Sequence, residues 1–247
     1  MHDDAAADAA WGWLQGYGRV VERSLAAHLR RNGSIDAVIA ALEAYRCPDG
    51  GYGHDLAPGS GAGASVAATC AALERHRRIG TPPEESGLQE ALGWSLARLC
   101  GADALPLLGS GGVLLGHLLE DRARARIPPV QRLLHELRRL LAACGRPHPE
   151  QIGSLADLRR SRGLTRRDRA QLDALLEPAL RSHPWPTTLL AGPGDPLVRL
   201  VPAERLVADL AHLRRIQASD GSWSGPGDDR ARTSCITEHH LRLLALG

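Results

Sequence analysis

Apolar residues recur at helical spacing along almost the whole chain. One stripe runs through residues 35–45, and it fits a helix because residues three and four apart share one side of an α-helix. The stripe consists of Ile35, Val38, Ile39, Leu42 and Tyr45. No segment alternates convincingly between apolar and polar residues, as a half-buried strand would. The pattern predicts an all-α protein of about ten helices.

Local start signals place several of these helices. Ser34 can cap the helix that follows it. Thr165 followed by Asp168 resembles a capping box. Pro202 suits the first position of a helix. The other predicted helices cover residues 11–31, 65–79, 83–99, 112–124, 130–141 and 233–246.

Two loops interrupt the helices and resemble each other. The first reads Cys-Pro-Asp-Gly-Gly-Tyr-Gly-His over residues 47–54, and the second reads Gln-Ala-Ser-Asp-Gly-Ser-Trp-Ser-Gly over residues 217–225. Glycine provides positive backbone angles after a helix, and the aromatic ring can fold back over the end of the hairpin. The similarity favours a helical repeat architecture.

These residues carry a family resemblance. The first loop and the small-residue helix at 65–72 resemble the start of bacterial prenyltransferase-like and squalene-hopene-cyclase-like repeat proteins, and residues 217–223 resemble the Gln-Trp motif of triterpene cyclases. The resemblance implies an α/α toroid, a double ring of helices around a central cavity, as one domain over residues 1–247. The Asp-x-Asp-Asp acid motif of type II cyclases is absent from the sequence.

The resemblance also suggests which residues act on a substrate. It places Asp55 and His54 near one mouth of the cavity, where a carboxyl group in apolar surroundings would have a raised pKa and could donate a proton. His54 would orient Asp55 or return the proton, and Glu238 is the next candidate acid. In the structural alternative, His54 bonds the loop backbone and Asp55 caps the loop or faces water.

Further residues are candidates for substrate binding. The Gly/Ser-rich stretch at 55–65 leads into a helix, so its amides could bind a phosphate or carboxylate, although a flexible connection is the alternative. The residues predicted to contact the substrate are Tyr52, Gly59, Ser60, Gly61, Trp223 and His239.

Zinc is a separate possibility. Cys235 and His239 are four residues apart, a spacing that can supply two zinc ligands from one helix. Protein prenyltransferases bind zinc through Asp, Cys and His, but Thr233 stands where their acid would be expected. Cys47 and His54 could complete a tetrad only if the two ends of the chain meet. We predict no metal and no cofactor.

Composition removes several function classes. The sequence has no lysine, which excludes lysine Schiff bases and Walker-type phosphate loops. A net charge of +2, with arginines spread among acids, predicts solvated helix faces and no nucleic-acid partner. Five cysteines without paired spacing, no secretory signal and no long apolar run predict a cytoplasmic protein with reduced thiols and no membrane span.

Three functions fit these observations. The first is a cyclase-like enzyme, an isomerase or lyase of specialised metabolism, that performs acid-assisted cyclisation or rearrangement of a hydrophobic, terpenoid or polyene-like substrate. The second is a non-catalytic toroid that binds a lipid-like ligand or a partner protein. The third is a zinc-assisted prenyl transferase. An apolar pocket that contains Asp55 or Glu238 would favour the first, and a cavity filled by leucine would favour the second.

Overall fold

Helices account for the regular structure of the chain. The computed structural model describes residues 4–30, 33–101, 105–224 and 228–246. Within these ranges the chain forms eleven α-helices and three short 3₁₀ helices, with no β-strand beyond an isolated bridge between Arg46 and Tyr52. The predicted all-α class is confirmed.

The α-helices are α1 (Ala5–Tyr17), α2 (Val20–Leu29), α3 (Ile35–Glu43), α4 (Val66–Ile79), α5 (Ser86–Cys100), α6 (Ser110–Glu120), α7 (Pro128–Ala143), α8 (Pro149–Arg159), α9 (Arg166–Ser182), α10 (Ala203–Ile216) and α11 (Arg230–Leu244). The 3₁₀ helices are Arg124–Arg126, Pro186–Leu189 and Val198–Leu200.

The predicted start signals agree with the structure. The Ser34 hydroxyl accepts from the amide of Ala37 at 3.1 Å and caps α3. Thr165 and Asp168 form the capping box of α9. Pro202, predicted as the first helical residue, is the N-cap of α10, one residue before its start at Ala203. These ends could be predicted because each depends on residues within one helical turn.

One predicted helix was wrong, and one helix was not predicted. Residues 11–31 form two helices, because the backbone turns to an extended conformation at Gly18, where a β-carbon would lie 2.6 Å from the carbonyl oxygen of Leu14. Helix α8 was missed. Its N-cap is His148, whose amide donates to the Gln151 side chain at 2.8 Å, and histidine is not among the usual capping residues.

The even-numbered helices from α2 to α8 pack against one another in chain order, and α3 and α5 pack between them. Helix α2 contacts α4, α4 contacts α6, and α6 contacts α8. Helix α3 packs against α2 and α4, and α5 packs against α4 and α6. The last helix, α11, packs against α1 and α2, so the two ends of the described chain lie together. The core between these helices is built largely from buried leucine and alanine.

The two similar loops share their backbone structure. In the first loop, the amide of Cys47 donates to the carbonyl of Gly51 at 2.8 Å. In the second, the amide of Ala218 donates to the carbonyl of Ser222 at 2.9 Å. Each is the pair that closes a tight hairpin after a helix, so the similarity in sequence is also a similarity in structure.

Aspartate and glycine have the same role in both loops. Gly50 and Gly221 have positive φ angles of 88° and 90°, which glycine adopts without strain. Asp49 accepts the amide two residues further on at 3.1 Å, and Asp220 does the same at 2.9 Å. The Asp-Gly pair therefore fixes the turn, as the sequence predicts.

A tryptophan from a neighbouring helix lies against each loop aspartate. The indole of Trp94, on α5, donates to Asp49 Oδ2 at 3.1 Å. The amide and hydroxyl of Ser222 lower the pKa of Asp220, and a hydrogen bond from Trp13, on α1, adds to this effect. Helix α1 therefore has the same relation to the second loop as α5 has to the first.

Each loop is also held by a buried threonine. The amide of Tyr52 donates to the Thr69 hydroxyl at 3.0 Å, and the amide of Trp223 donates to the Thr237 hydroxyl at 3.1 Å. We expect Thr69→Val and Thr237→Val each to cost about 1–3 kcal/mol in urea denaturation, because a buried amide loses its acceptor. Thr188→Val, at an exposed site, is the control and should unfold like the wild type. An unchanged Thr237→Val variant would show that the second loop does not depend on this bond.

Candidate functional site

A cavity of about 1150 Å³ lies among α1, α2, α4, α10, α11, the residues that follow α8, and residues 191–196. Seven arginines and four acidic residues line it, so its wall carries an excess of positive charge. The arginines are Arg30, Arg77, Arg78, Arg160, Arg162, Arg214 and Arg242, and the acids are Asp4, Glu74, Asp195 and Glu238.

Other residues of the wall are apolar. Helix α1 contributes Ala5 to Ala7, α2 contributes Ala26 and Leu29, and α11 contributes Leu241 and Leu244. The arginines come from α4, from the residues that follow α2 and α8, and from α10 and α11. Helix α11 contributes to both sets. We call the arginines the cationic side of the wall, and the alanines and leucines its apolar side.

The cationic side is built from helix C-termini. Arg77 and Arg78 stand in the last turn of α4, which ends at the left-handed Gly80. Arg242 stands in the last turn of α11. Arginine is favourable there, because the C-terminal end of a helix carries partial negative charge. The prediction of solvated helix faces is wrong for Arg160 and Arg242, whose side chains are 5% and 10% exposed.

Glu74 is shared by two arginines on α4. It lies 2.5 Å from Arg77 and 2.8 Å from Arg78. Burial alone would raise the pKa of Glu74, but the charges of Arg78 and Arg77 outweigh it and hold the pKa at about 2. Burial lowers the pKa of Arg78, and the nearby charge of Arg242 lowers it further. One carboxylate thus serves two guanidinium groups in this part of the wall.

An irregular segment between α9 and α10 lines part of the cavity. We call residues 186–201 the strap; it contains two 3₁₀ helices. Asp195, whose side chain is buried, lies 2.8 Å from Arg160, the C-cap of α8. Arg160 also donates to the carbonyl of Leu189. The strap is therefore held to α8 by one guanidinium group.

Helix α11 holds the other side of the strap. Arg242 donates to the carbonyl of Ala191, and His239 Nε2 lies 3.0 Å from the carbonyl of Thr188. Since that carbonyl only accepts, Nε2 carries the proton and Nδ1 is free to accept from Arg242 at 3.1 Å. Burial, and then Arg242, lower the pKa of His239 well below its usual value, which agrees with a neutral ring.

The predicted acid and its relay lie elsewhere. Among the described residues His54 and Asp55 are exposed, have positive φ angles of 51° and 57°, and do not line this cavity. Asp55 Oδ1 accepts from the amide of Gly61 at 2.8 Å. The catalytic roles assigned to this pair require a desolvated carboxyl, which this geometry does not provide.

Other predicted substrate contacts are also outside the cavity wall. Tyr52 is fully buried, with its hydroxyl 3.2 Å from His76 Nε2, and the Trp223 indole donates to the carbonyl of Leu213 at 2.8 Å. Both rings hold their loops onto helices. Gly59, Ser60 and Gly61 belong to the loop before α4 and do not line the cavity.

Glu238 does line the cavity. It is buried, and its Oε1 accepts from Arg242 Nε at 2.6 Å. His239, the next residue, binds the same arginine through Nδ1. Of the predicted site residues, Glu238 lines the cavity and is bound to an arginine, whereas His239 contacts that arginine without lining the cavity.

Cys235 belongs to a different group of side chains. Its sulfur lies 3.0 Å from Arg19 Nη2 and 3.4 Å from Glu22 Oε1. Burial, and then the charge of Glu22, raise the pKa of the thiol to about 11. Within the described ranges no three His, Cys, Asp or Glu side chains are grouped so that they could hold a metal ion. The zinc-assisted transferase therefore has no candidate site in this part of the chain.

Sequence reasoning missed the arginine wall. The available signal was the grouping of arginines at helix ends, Arg77-Arg78 on α4 and Arg159-Arg160 at the end of α8. Such groups usually mark solvated C-terminal turns. Tertiary packing brings Arg77, Arg78 and Arg160 to the cavity, whereas Arg159 pairs with Asp173.

Comparison with protein-family models, with curated proteins and with solved structures finds no match to this chain. No helix in the described ranges is both long and apolar enough to cross a membrane. What this protein does has to be argued from the cavity itself.

Proposed function

We propose that the chain is an α/α toroid whose central cavity binds an amphiphilic organic anion. The order of helix contacts supports the ring, since α2, α4, α6 and α8 follow one another and α11 returns to α2. The matched relations of α1 to the second loop and of α5 to the first support closure of the ring at the chain ends.

The observation that carries the ligand class is that guanidinium groups and apolar side chains line the same cavity. Guanidinium groups in a partly desolvated site attract an oxyanion more strongly than they would in water. The alanines and leucines of the same wall offer surface on which an alkyl or isoprenoid chain can be buried. A ligand with one charged end and one apolar end matches both sides.

The lining bears on the reaction as well as on the ligand. Stabilising a carbocation needs aromatic faces. The described lining contains no aromatic residue. Binding of an anionic amphiphile is therefore better supported than cyclisation of a hydrocarbon.

A second candidate function is acid–base conversion of the bound amphiphile by Glu238. The observation that favours it is the position of this carboxylate on the cavity wall. The Glu238→Gln variant should then bind the substrate but no longer convert it. Equal turnover by the variant would exclude the residue.

Calorimetric titration tests the ligand class. We expect octyl phosphate to bind at least about tenfold more tightly than 1-octanol or octyltrimethylammonium, because only the phosphate matches the arginine side. Affinity for octyl phosphate should fall as salt is raised, since part of the attraction is electrostatic. Equal affinity for all three compounds, or no binding of octyl phosphate, would contradict the proposal.

A further inference from the structure

We infer that Arg78 binds the anionic group of the ligand, and that the apolar chain lies along α1, α2 and the C-terminal half of α11. The inference rests on the proposed function and assigns its binding residue and ligand orientation. Three features of the cavity wall support it: the charges around α4, the unused hydrogen-bond donors of Arg78, and the apolar residues of α1, α2 and α11.

The charge balance favours α4 as the place for an anion. Arg77 and Arg78 share the single carboxylate of Glu74. The other acids of the wall each have an arginine, as in the pair of Glu238 with Arg242 and that of Asp4 with Arg214. Arg30 and Arg162 also line the cavity without an ion pair to a lining acid, but both are exposed to solvent. Among the less exposed arginines of the wall, the pair that shares one carboxylate therefore lies on α4.

Hydrogen bonds identify which of the two arginines is available. Arg77 uses Nε and Nη2 on Glu74 and Nη1 on the carbonyl of Arg160. Arg78 places only Nε on Glu74, at 2.8 Å. Its two terminal nitrogens make no hydrogen bond with any residue that the structure describes, and the side chain is 21% exposed, to the cavity. These nitrogens can exchange water for a ligand.

The other enclosed arginines are already fully engaged. All three nitrogens of Arg242 bind protein atoms, on Glu238, Ala191 and His239. Arg160 uses its three nitrogens on Asp195, Asp157 and the strap carbonyl of Leu189. Their guanidinium groups shape the wall, whereas the fork of Arg78 remains for recognition.

The geometry of a guanidinium fork defines the ligand group. Two parallel N–H donors match two oxygens of a carboxylate or of a phosphate monoester. An oxyanion at this position would also offset the repulsion between Arg78 and Arg242. The ligand class is thus an amphiphile that ends in an oxyanion with two accessible oxygens.

The apolar wall gives the direction of the chain. Ala26 and Leu29 lie on α2, which packs against α4. Leu241 and Leu244 lie on α11, which packs against α2. A ligand anchored at Arg78 would extend its alkyl chain across these residues. Each added methylene that becomes buried should tighten binding about fourfold.

The test compares Arg78→Gln with Arg139→Gln, a matched control on the exposed face of α7. The probes are hexyl, octyl and decyl phosphate, with octanoate to separate carboxylate from phosphate. We expect Arg78→Gln to weaken octyl phosphate binding about 10- to 100-fold, while Arg139→Gln binds like the wild type. The factor by which each added methylene increases affinity should be the same in Arg78→Gln as in the wild type. A general collapse of the cavity would reduce that factor.

Arg78→Lys provides a second arm and answers the question even if the glutamine variant fails to fold. Lysine keeps the charge and loses the fork, so the affinity of Arg78→Lys should lie between those of the wild type and Arg78→Gln. If Arg78→Gln does not fold, Arg78→Lys should still bind more weakly than the wild type. If octyl phosphate binds the wild type and Arg78→Gln equally, or if Arg78→Lys binds as tightly as the wild type, Arg78 is not the binding residue while the proposed function stands. If octyl phosphate does not bind the wild type, both proposals fail.

Discussion

Replacing Glu22 by glutamine should lower the free energy of unfolding by about 3–5 kcal/mol. Glu22 lies on α2 with its side chain 0% exposed, 2.5 Å from Arg19 and 2.9 Å from Arg75 of α4. Arg75 is itself buried, and its Nε has no partner among the described atoms. Glutamine would leave two guanidinium groups inside the protein without a counter-charge.

Urea denaturation at pH 7 measures this effect. Glu150→Gln on α8 is the matched control, because its side chain is 90% exposed and its loss should change little. Arg75→Gln should also destabilise strongly, since Glu22 would keep only Arg19. A loss below about 1 kcal/mol for Glu22→Gln would mean that the two arginines find other partners when the carboxylate is removed.

The same site predicts a pH dependence. Burial alone would raise the pKa of Glu22, but the hydrogen bond from Arg19 and the charges of Arg75 and Arg19 bring it below its usual value of 4.5. A carboxyl group with a lowered folded-state pKa contributes stability that is present above pH 4.5 and is lost as pH falls through the folded pKa. The difference in stability between the wild type and Glu22→Gln should therefore shrink in acid.

Much of the fold could be predicted because its signals are local. The cap at Ser34 and the turn at Asp49 and Gly50 depend on atoms within a few residues. The division of residues 11–31 at Gly18 could not be predicted in this way, since helical periodicity continues across it. There the close approach of the Leu14 carbonyl, rather than the apolar pattern, decides the break.

The candidate site could not be predicted, because its chemistry depends on how distant helices meet. Asp55 follows an aromatic loop in sequence, but its carboxylate turns back to its own loop and faces water. Arg78 stands in an ordinary basic last turn, and its enclosure depends on α8, α11 and the strap. Glu238 was chosen as a second acid and does reach the cavity, since it lies on the side of α11 that faces the interior.

The strap should be the part of the cavity wall most sensitive to a single substitution, at Asp195. Its Oδ2 accepts from the amide of Ala191 at 2.5 Å and from Arg160 Nε at 2.8 Å, and Oδ1 accepts from the amide of Leu197 at 2.9 Å. Asparagine has only one acceptor oxygen, so its NH₂ group must face either the amide of Leu197 or the amide of Ala191 and Arg160 Nε, all of which are donors. The variant also leaves Arg160 with less counter-charge.

We expect Asp195→Asn to cost about 3–5 kcal/mol, the usual loss when a buried ion pair is broken. If the strap can open without the rest of the chain, the loss should appear as fast hydrogen exchange at residues 187–201 while α4 and α6 stay protected. Asp36→Asn, at an exposed site on α3, is the control and should exchange like the wild type. Because the strap lines the cavity and is bonded to Arg242, its opening should also speed the dissociation of octyl phosphate. Unchanged exchange in Asp195→Asn would mean that the bonds from α11 to Ala191 and Thr188 hold the strap without help from α8.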